Sequence, residues 1–198
     1  MSYFSDYAAA FGENYARRSD FQERLRVWQP LLDQHARGAE LAVDLGCGTG
    51  IFSFYLAEKG LRVVGVDGAE GMVRACEAER ARRGLGNVRF VEGRLPDFAA
   101  ADLEGAADLV ISSSVLEYVP ALAASLALCA RLLKPGGVLI VSLPSGLSVN
   151  RAYQRLKYRL TGQPREYGYI RHYLSEGKFR RLAAPLGLTV ERVAYYGH

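Results

Sequence analysis

Five short apolar runs, with helical stretches fitting between most of them, constrain this chain more than any other feature. Residues 41–45 (Leu-Ala-Val-Asp-Leu), 62–66 (Arg-Val-Val-Gly-Val), 88–91 (Val-Arg-Phe-Val), 107–112 (Ala-Asp-Leu-Val-Ile-Ser) and 138–142 (Val-Leu-Ile-Val-Ser) read as strands. Their apolar residues run on rather than alternate, the pattern of strands covered on both faces in a parallel sheet. Residues 51–59, 69–83 and 119–133 carry helical spacing, and Lys134-Pro-Gly-Gly137 is a turn. Strand and helix therefore alternate with short links. The expected fold is α/β: a doubly wound, mostly parallel sheet in three α/β/α layers.

Around this core, residues 1–37 carry helical spacing and many aromatics (Tyr3, Phe4, Tyr7, Phe11, Tyr15, Phe21, Trp28), and are expected to form an N-terminal helical lid. Residues 38–144 form the core, residues 145–174 a lid after the fifth strand, and residues 175–198 a helix to about 186 and a strand over 188–195. With 198 residues, one domain holds all of this. No run approaches the roughly 18 apolar residues of a transmembrane helix, and residues 1–18 lack the layout of a secretory signal. Cytoplasmic location is the default expectation. The three cysteines, Cys47, Cys76 and Cys129, are widely spaced and form no CxxC, which argues against a disulfide framework or a metal site.

The net charge of +4 is unevenly distributed. Residues 151–181 hold nine basic side chains against Glu166 and Glu176. Within them Val149, Tyr153, Leu156 and Leu160 recur at helical spacing, with Arg151, Arg155, Lys157 and Arg159 around them. Such a helix packs by its apolar face as a lid, and its basic face suits an anionic or amphiphilic small molecule or, at most, peripheral membrane contact.

Asp44-Leu-Gly-Cys-Gly-Thr-Gly50 follows the first strand and opens a helix. Glycines there let the backbone approach a ligand, and the helix N-terminus presents free N–H groups. Asp67 ends the second strand, where an acid accepts hydrogen bonds from ribose hydroxyls. That demand is common to dinucleotides and other nucleosides, so Asp67 alone does not discriminate. The dinucleotide fingerprint is imperfect, because its third small position falls on Ser53.

Together these residues resemble the class I S-adenosylmethionine-dependent methyltransferases, small-molecule type, similar to the ubiquinone-pathway enzymes. Val43-Asp-Leu-Gly-Cys-Gly-Thr-Gly50 resembles the family's first motif, and Val64-Gly-Val-Asp67 its ribose-binding strand. Ser114-Val-Leu-Glu-Tyr-Val119 is similar to its segment after strand four, and Leu132-Leu-Lys-Pro-Gly-Gly137 to its turn before strand five. The resemblance implies a Rossmann-like fold and S-adenosylmethionine as cofactor, leaving as S-adenosylhomocysteine. It places Gly46, Cys47, Gly48 and Gly50 along the methionine end and Asp44 in support of that loop or at the amino group. Asp67 would hold the ribose, Gly68 and Ala69 border the adenine, and Ser112 sit near the methionyl moiety. Tyr15 is a further candidate contact. Relatives often carry Gly-Asp after strand three, with the Asp meeting the adenine amino group. This chain has Gly93-Arg94, which cannot accept that bond.

Methyl transfer needs alignment more than a catalytic triad. A hydroxyl acceptor is helped by a base near neutral pKa, for which His172, Glu117 and Tyr118 are the candidates. The expected reaction methylates a hydroxyl or carbon of an aromatic or amphiphilic metabolite; N-methylation of a small amine and cofactor binding without turnover are the alternatives, with a nicotinamide oxidoreductase a more distant rival. The signatures of nucleic-acid base methylation are absent, so no nucleic-acid partner is expected. The family's sheet ends in a hairpin, whereas this chain stops after one terminal strand. A truncation, or an edge completed by a partner in a homodimer, is the expectation that follows.

Overall fold

Branched and bulky apolar side chains on successive residues hold the strands between two helical layers. In the computed structural model, which describes residues 19–99, 101–145, 157–161 and 168–196, five strands form one sheet: β1 (Leu41–Leu45), β2 (Arg62–Asp67), β3 (Val88–Glu92), β4 (Ala107–Ser112) and β5 (Leu133–Val141). Their order is β3-β2-β1-β4-β5 and every pairing is parallel. The helices are α1 (Ser19–Ala36), α2 (Ile51–Glu58), α3 (Glu70–Arg83), α4 (Leu122–Leu132) and α5 (Glu176–Ala183), the last running into a 3-10 turn, Ala184–Leu186. Tyr15 and the rest of residues 1–18 lie outside the described residues, as do Val149, Tyr153, Leu156, Arg151, Arg155 and Arg165 of the second lid.

The continuous apolar runs are explained by burial on both sides. On one face Ala42, Val63, Leu109 and Ile111 pack against Trp28 and Leu32 of α1 and Phe52 and Leu56 of α2. On the other, Val43, Leu45, Val64, Val66 and Val110 meet Leu128, Cys129 and Leu132 of α4. Phe179 and Leu182 of α5 and Leu186 then close over Leu116, Val119 and Leu126. The three-layer Rossmann-like α/β fold expected from the strand pattern is the one formed.

At the amino end of the sheet a single carboxylate clasps three strands. Asp108 Oδ2 accepts the Glu40 and Leu41 N–H groups at 2.9 Å each, while Asp108 Oδ1 pairs with the Lys134 ammonium. Ala107 pairs with Leu133 and Leu109 with Val138, so Lys134-Pro-Gly-Gly137 arches out of β5 as a bulge. The turn expected there is thus built into the strand, with its lysine at the foot of β4.

The C-terminal strand expected over residues 188–195 does not form. Residues 188–196 carry no regular secondary structure and stay outside the sheet. Val193 and Tyr195 are exposed, so no buried face fixes a register. The segment is held instead by side chains. The Arg180 guanidinium donates to the Val190 carbonyl at 2.9 Å, and Trp28 Nε1–H donates to the Tyr196 hydroxyl at 3.4 Å.

Candidate functional site

The strand order turns back at β1, with β2 on one side and β4 on the other. Ligands of open α/β sheets bind at such a point, outside the carboxyl ends of the strands. Here those ends carry the Gly46-Cys47-Gly48 loop, Asp67 and a run of three serines, Ser112 to Ser114.

The loop is fixed from both sides. Gly46 N–H and Cys47 N–H both donate to the Val66 carbonyl, at 2.7 and 3.0 Å. Gly46 sits at φ 75°, and a Cβ on it would fall 2.2 Å from the Val115 side chain, so conformation and space both demand glycine. Gly48, at φ 55°, has nothing within 4 Å of where its Cβ would stand. That opening lies beside Asp67. Asp67 Oδ2 accepts Gly48 N–H at 2.8 Å and Oδ1 accepts Ala69 N–H at 2.9 Å. One carboxylate therefore ties the glycine loop to the start of α3, and each oxygen keeps a lone pair for a further donor. Burial raises the Asp67 pKa, with the Ala69 and Gly48 N–H bonds opposing it.

Asp44 is more deeply placed. It is 2% exposed and accepts the Ser53 hydroxyl of α2 at 2.6 Å. Burial pushes its pKa up to about 7 against the Ser53 hydrogen bond, with the Asp67 charge adding to the rise. Its visible role is to pin the first turn of α2 behind the loop. Gly50 is the N-cap of α2, and its missing side chain leaves room for the Phe54 and Phe90 rings rather than for the crevice. Cys76 of α3 donates its thiol to the Gly48 carbonyl at 3.2 Å, and the hydrogen bond with Cys76 and burial hold the Cys47 thiol well above its ordinary pKa.

Ser112 is fully buried and its hydroxyl donates to the Leu45 carbonyl at 2.9 Å, bridging β4 to β1. Its neighbour was not singled out from sequence: Ser113 Oγ is buried without a hydrogen-bond partner among the described residues. Ser114 holds a left-handed backbone at φ 56°, uncommon for a residue other than glycine. It is kept there by its N–H bond to Ser142 Oγ, 2.9 Å, at the end of β5. Strain of this kind gathers at sites where a loop must be held in one shape. Three consecutive serines ending an apolar strand were the available signal.

The candidate acceptor-side residues come together over the same edge. Glu117 is 6% exposed, and its carbonyl accepts both Arg171 N–H, at 2.7 Å, and His172 N–H, at 3.2 Å. The His172 ring lies with Nε2 2.8 Å from the Val119 carbonyl. A carbonyl only accepts, so Nε2 carries the proton and Nδ1 is the acceptor of the neutral ring. Leu174 N–H donates to the Pro144 carbonyl at 3.1 Å, continuing the strap onto the segment that follows β5. Tyr118 stands half-buried in the turn closed by its N–H and the Val115 carbonyl, 2.9 Å.

The methyltransferase-domain family matches residues 43–141, from β1 through β5. Nocamycin O-methyltransferase of Saccharothrix syringae is 46% identical over 100 residues, 48% of this chain and 34% of that protein. A ubiquinone biosynthesis O-methyltransferase of Saccharophagus degradans is 33% identical over 112 residues, 56% of this chain and 47% of that protein. The match thus spans a third to a half of these relatives' lengths. Among solved structures, a candidate methyltransferase in complex with the Haloferax volcanii methyltransferase activator superposes with a TM-score of 0.68 at 22% identity, covering 96% of this chain and 78% of that one. A candidate S-adenosylmethionine-dependent methyltransferase from Methanococcus maripaludis gives 0.68 at 17% identity, covering 94% and 85%. At these identities the likeness is one of fold. With a family match running from the first strand to the fifth and the glycine loop and Asp67 joined at the turning point of the sheet, the chain belongs to the methyltransferase-domain family.

Proposed function

We propose that this chain binds S-adenosylmethionine across the glycine loop and Asp67 and directs its methyl group to a small-molecule acceptor, a hydroxyl or carbon of an aromatic or amphiphilic metabolite. The observation that carries the reading is the Asp67 carboxylate, which accepts the Gly48 and Ala69 N–H groups and so makes the loop and the acid one unit. The residues present fit such a ligand. Gly48 has open space in front of it, Asp67 retains acceptor capacity, and the Ser113 hydroxyl is buried with no partner among the described residues. When bound, S-adenosylmethionine supplies a methyl group on a sulfonium, open to in-line displacement.

The protein's part is placement. Asp67 would hold the ribose, with Gly68 and Ala69 bordering the base. Gly46, Cys47 and Gly48 would line the amino-acid end, and Asp44, Gly50 and Ser112 would act from behind by fixing α2 and the β1–β4 seam. On the acceptor side, the strap through Arg171 and His172 and the turn bearing Glu117 and Tyr118 would shut out water and orient the nucleophile. His172 is the group suited to taking a proton from a hydroxyl, through Nδ1. The names of the two curated relatives favour oxygen as the accepting atom.

The test is a methyl-transfer screen with labelled S-adenosylmethionine over small-molecule pools, preceded by calorimetric titration with S-adenosylhomocysteine. Binding with transfer supports the reading; binding without transfer under any acceptor favours a nucleoside-binding protein. His172→Asn is expected to lower kcat with little change in S-adenosylhomocysteine affinity. Full activity in that variant would reduce His172 to a structural strap.

A further inference from the structure

Beyond Asp67 the crevice is bordered by two short backbone stretches, Gly68-Ala69 after β2 and Gly93-Arg94 after β3. They are joined, since Gly93 N–H donates to the Asp67 carbonyl at 3.0 Å and Asp67 faces Glu92 across the ladder. The Arg94 stem crosses Gly68, with Cγ 3.2 Å from where a Cβ on Gly68 would stand, so the room left by that missing side chain is used by the arginine. Arg94 itself is exposed at the rim. With Asp67 on the ribose hydroxyls, a base on the adjoining ribose carbon falls against these two stretches.

A guanidinium has five N–H donors and no acceptor, and its plane stacks on aromatic faces. Adenine offers ring nitrogens that accept and a 6-amino group that donates. Arginine can serve the first and the ring face, but not the amino group.

We propose that Arg94 recognises the cofactor's nucleobase through its acceptors and its ring face, so that this chain binds purine nucleosides without reading the 6-amino group. The inference rests on the S-adenosylmethionine reading above. It follows that a 6-oxo base, which replaces the amino donor by a carbonyl acceptor and turns N1 into a donor, is tolerated, because N7, the 6-oxygen and the ring face still suit the guanidinium. A pocket that hydrogen-bonded the amine would instead reject that analogue by orders of magnitude.

The experiment is calorimetric titration of the full chain with S-adenosylhomocysteine and S-inosylhomocysteine, its 6-oxo counterpart. Wild type is expected to bind the two within about fivefold of each other, a difference of about 1 kcal/mol or less. Arg94→Asp, which replaces donors by an acceptor, is expected to shift the ratio toward adenine by about tenfold or more. Arg94→Lys keeps the charge without the plane, and should weaken both ligands while leaving their ratio in place. A wild-type preference for adenine of about a hundredfold, or an Arg94→Asp ratio equal to wild type, would overturn the proposal. If S-adenosylhomocysteine does not bind wild type at all, the cofactor reading falls and this inference falls with it.

Discussion

Asp67 serves two structures at once, and that makes its substitutions informative. Its oxygens each accept one backbone N–H, from Gly48 and from Ala69. Asn keeps the shape but turns an NH2 group toward one of those donors, so the isosteric change sets two donors face to face where a carboxylate had satisfied both. Asp67→Asn is therefore expected to lose nearly as much S-adenosylhomocysteine affinity as Asp67→Ala, more than tenfold in each case, about 1.4 kcal/mol or above. Titration calorimetry checks this, and wild-type affinity in either variant would remove the carboxylate from the pocket. Asp67 was legible from its place after an apolar run, because a strand end in an α/β sheet is a fixed location. Ser112 was named from its place at the end of β4, but its neighbour Ser113 was not. Which of Ser112 and Ser113 bonds within the sheet depends on strand register, and that is set by pairing with β1 and β5. Asp44 was expected to support the loop or to meet the amino group, and the means of support was not legible: its partner Ser53 lies nine positions away on the next helix, a bond that appears only when α2 packs.

At the scale of elements, the strands were readable because burial on both faces leaves a composition signature that does not depend on register. The Asp108 clasp left none, since an acid at the second position of a strand has many uses. Its pKa is set by competition: burial pushes it up, while the Lys134 ammonium and the Leu41 and Glu40 N–H groups together bring it down to about 2. A depressed native pKa means stability that is present above the unfolded carboxylate value, near 3.9, and lost as pH falls through about 2. Asp108→Ala should accordingly lower unfolding free energy by roughly 1–3 kcal/mol at pH 7. The deficit should shrink between about pH 4 and pH 2, and urea melts at several pH values measure it. A deficit unchanged at pH 2 would show that packing, not the charge, is what the substitution removes. The missing terminal strand is the converse case. Val190, Val193 and Tyr195 carry β-favouring side chains, but propensity without a buried face does not form a strand, and Val193 and Tyr195 remain exposed.

Across the whole molecule these devices separate along the strand axis. The amino end of the sheet holds the Asp108 clasp and the last turn of α4, where Leu132 is fully buried against β5. The carboxyl end holds left-handed Gly46, Gly48 and Ser114, the buried Ser113 hydroxyl and the Asp67 carboxylate. The first end is closed by a clasp and a fully buried helix turn, while the second keeps open space at Gly48 and a buried Ser113 hydroxyl without a partner among the described residues, both of which a ligand can fill. Substitutions at the two ends should therefore act independently. Leu132→Ala is expected to cost about 2–5 kcal/mol through the cavity it leaves. Saturating S-adenosylhomocysteine, at about a hundred times its Kd, should still add about 2.7 kcal/mol to that variant, as to wild type. Asp67→Ala should show the reverse: a smaller loss in the free protein and a ligand increment reduced by about 1.4 kcal/mol at the same ligand concentration. Thermal melts of the three proteins with and without ligand separate the two quantities. If Leu132→Ala abolished the ligand increment while remaining folded, the carboxyl-end geometry would depend on the packing beneath it, and the division between a stabilising end and a binding end would not hold.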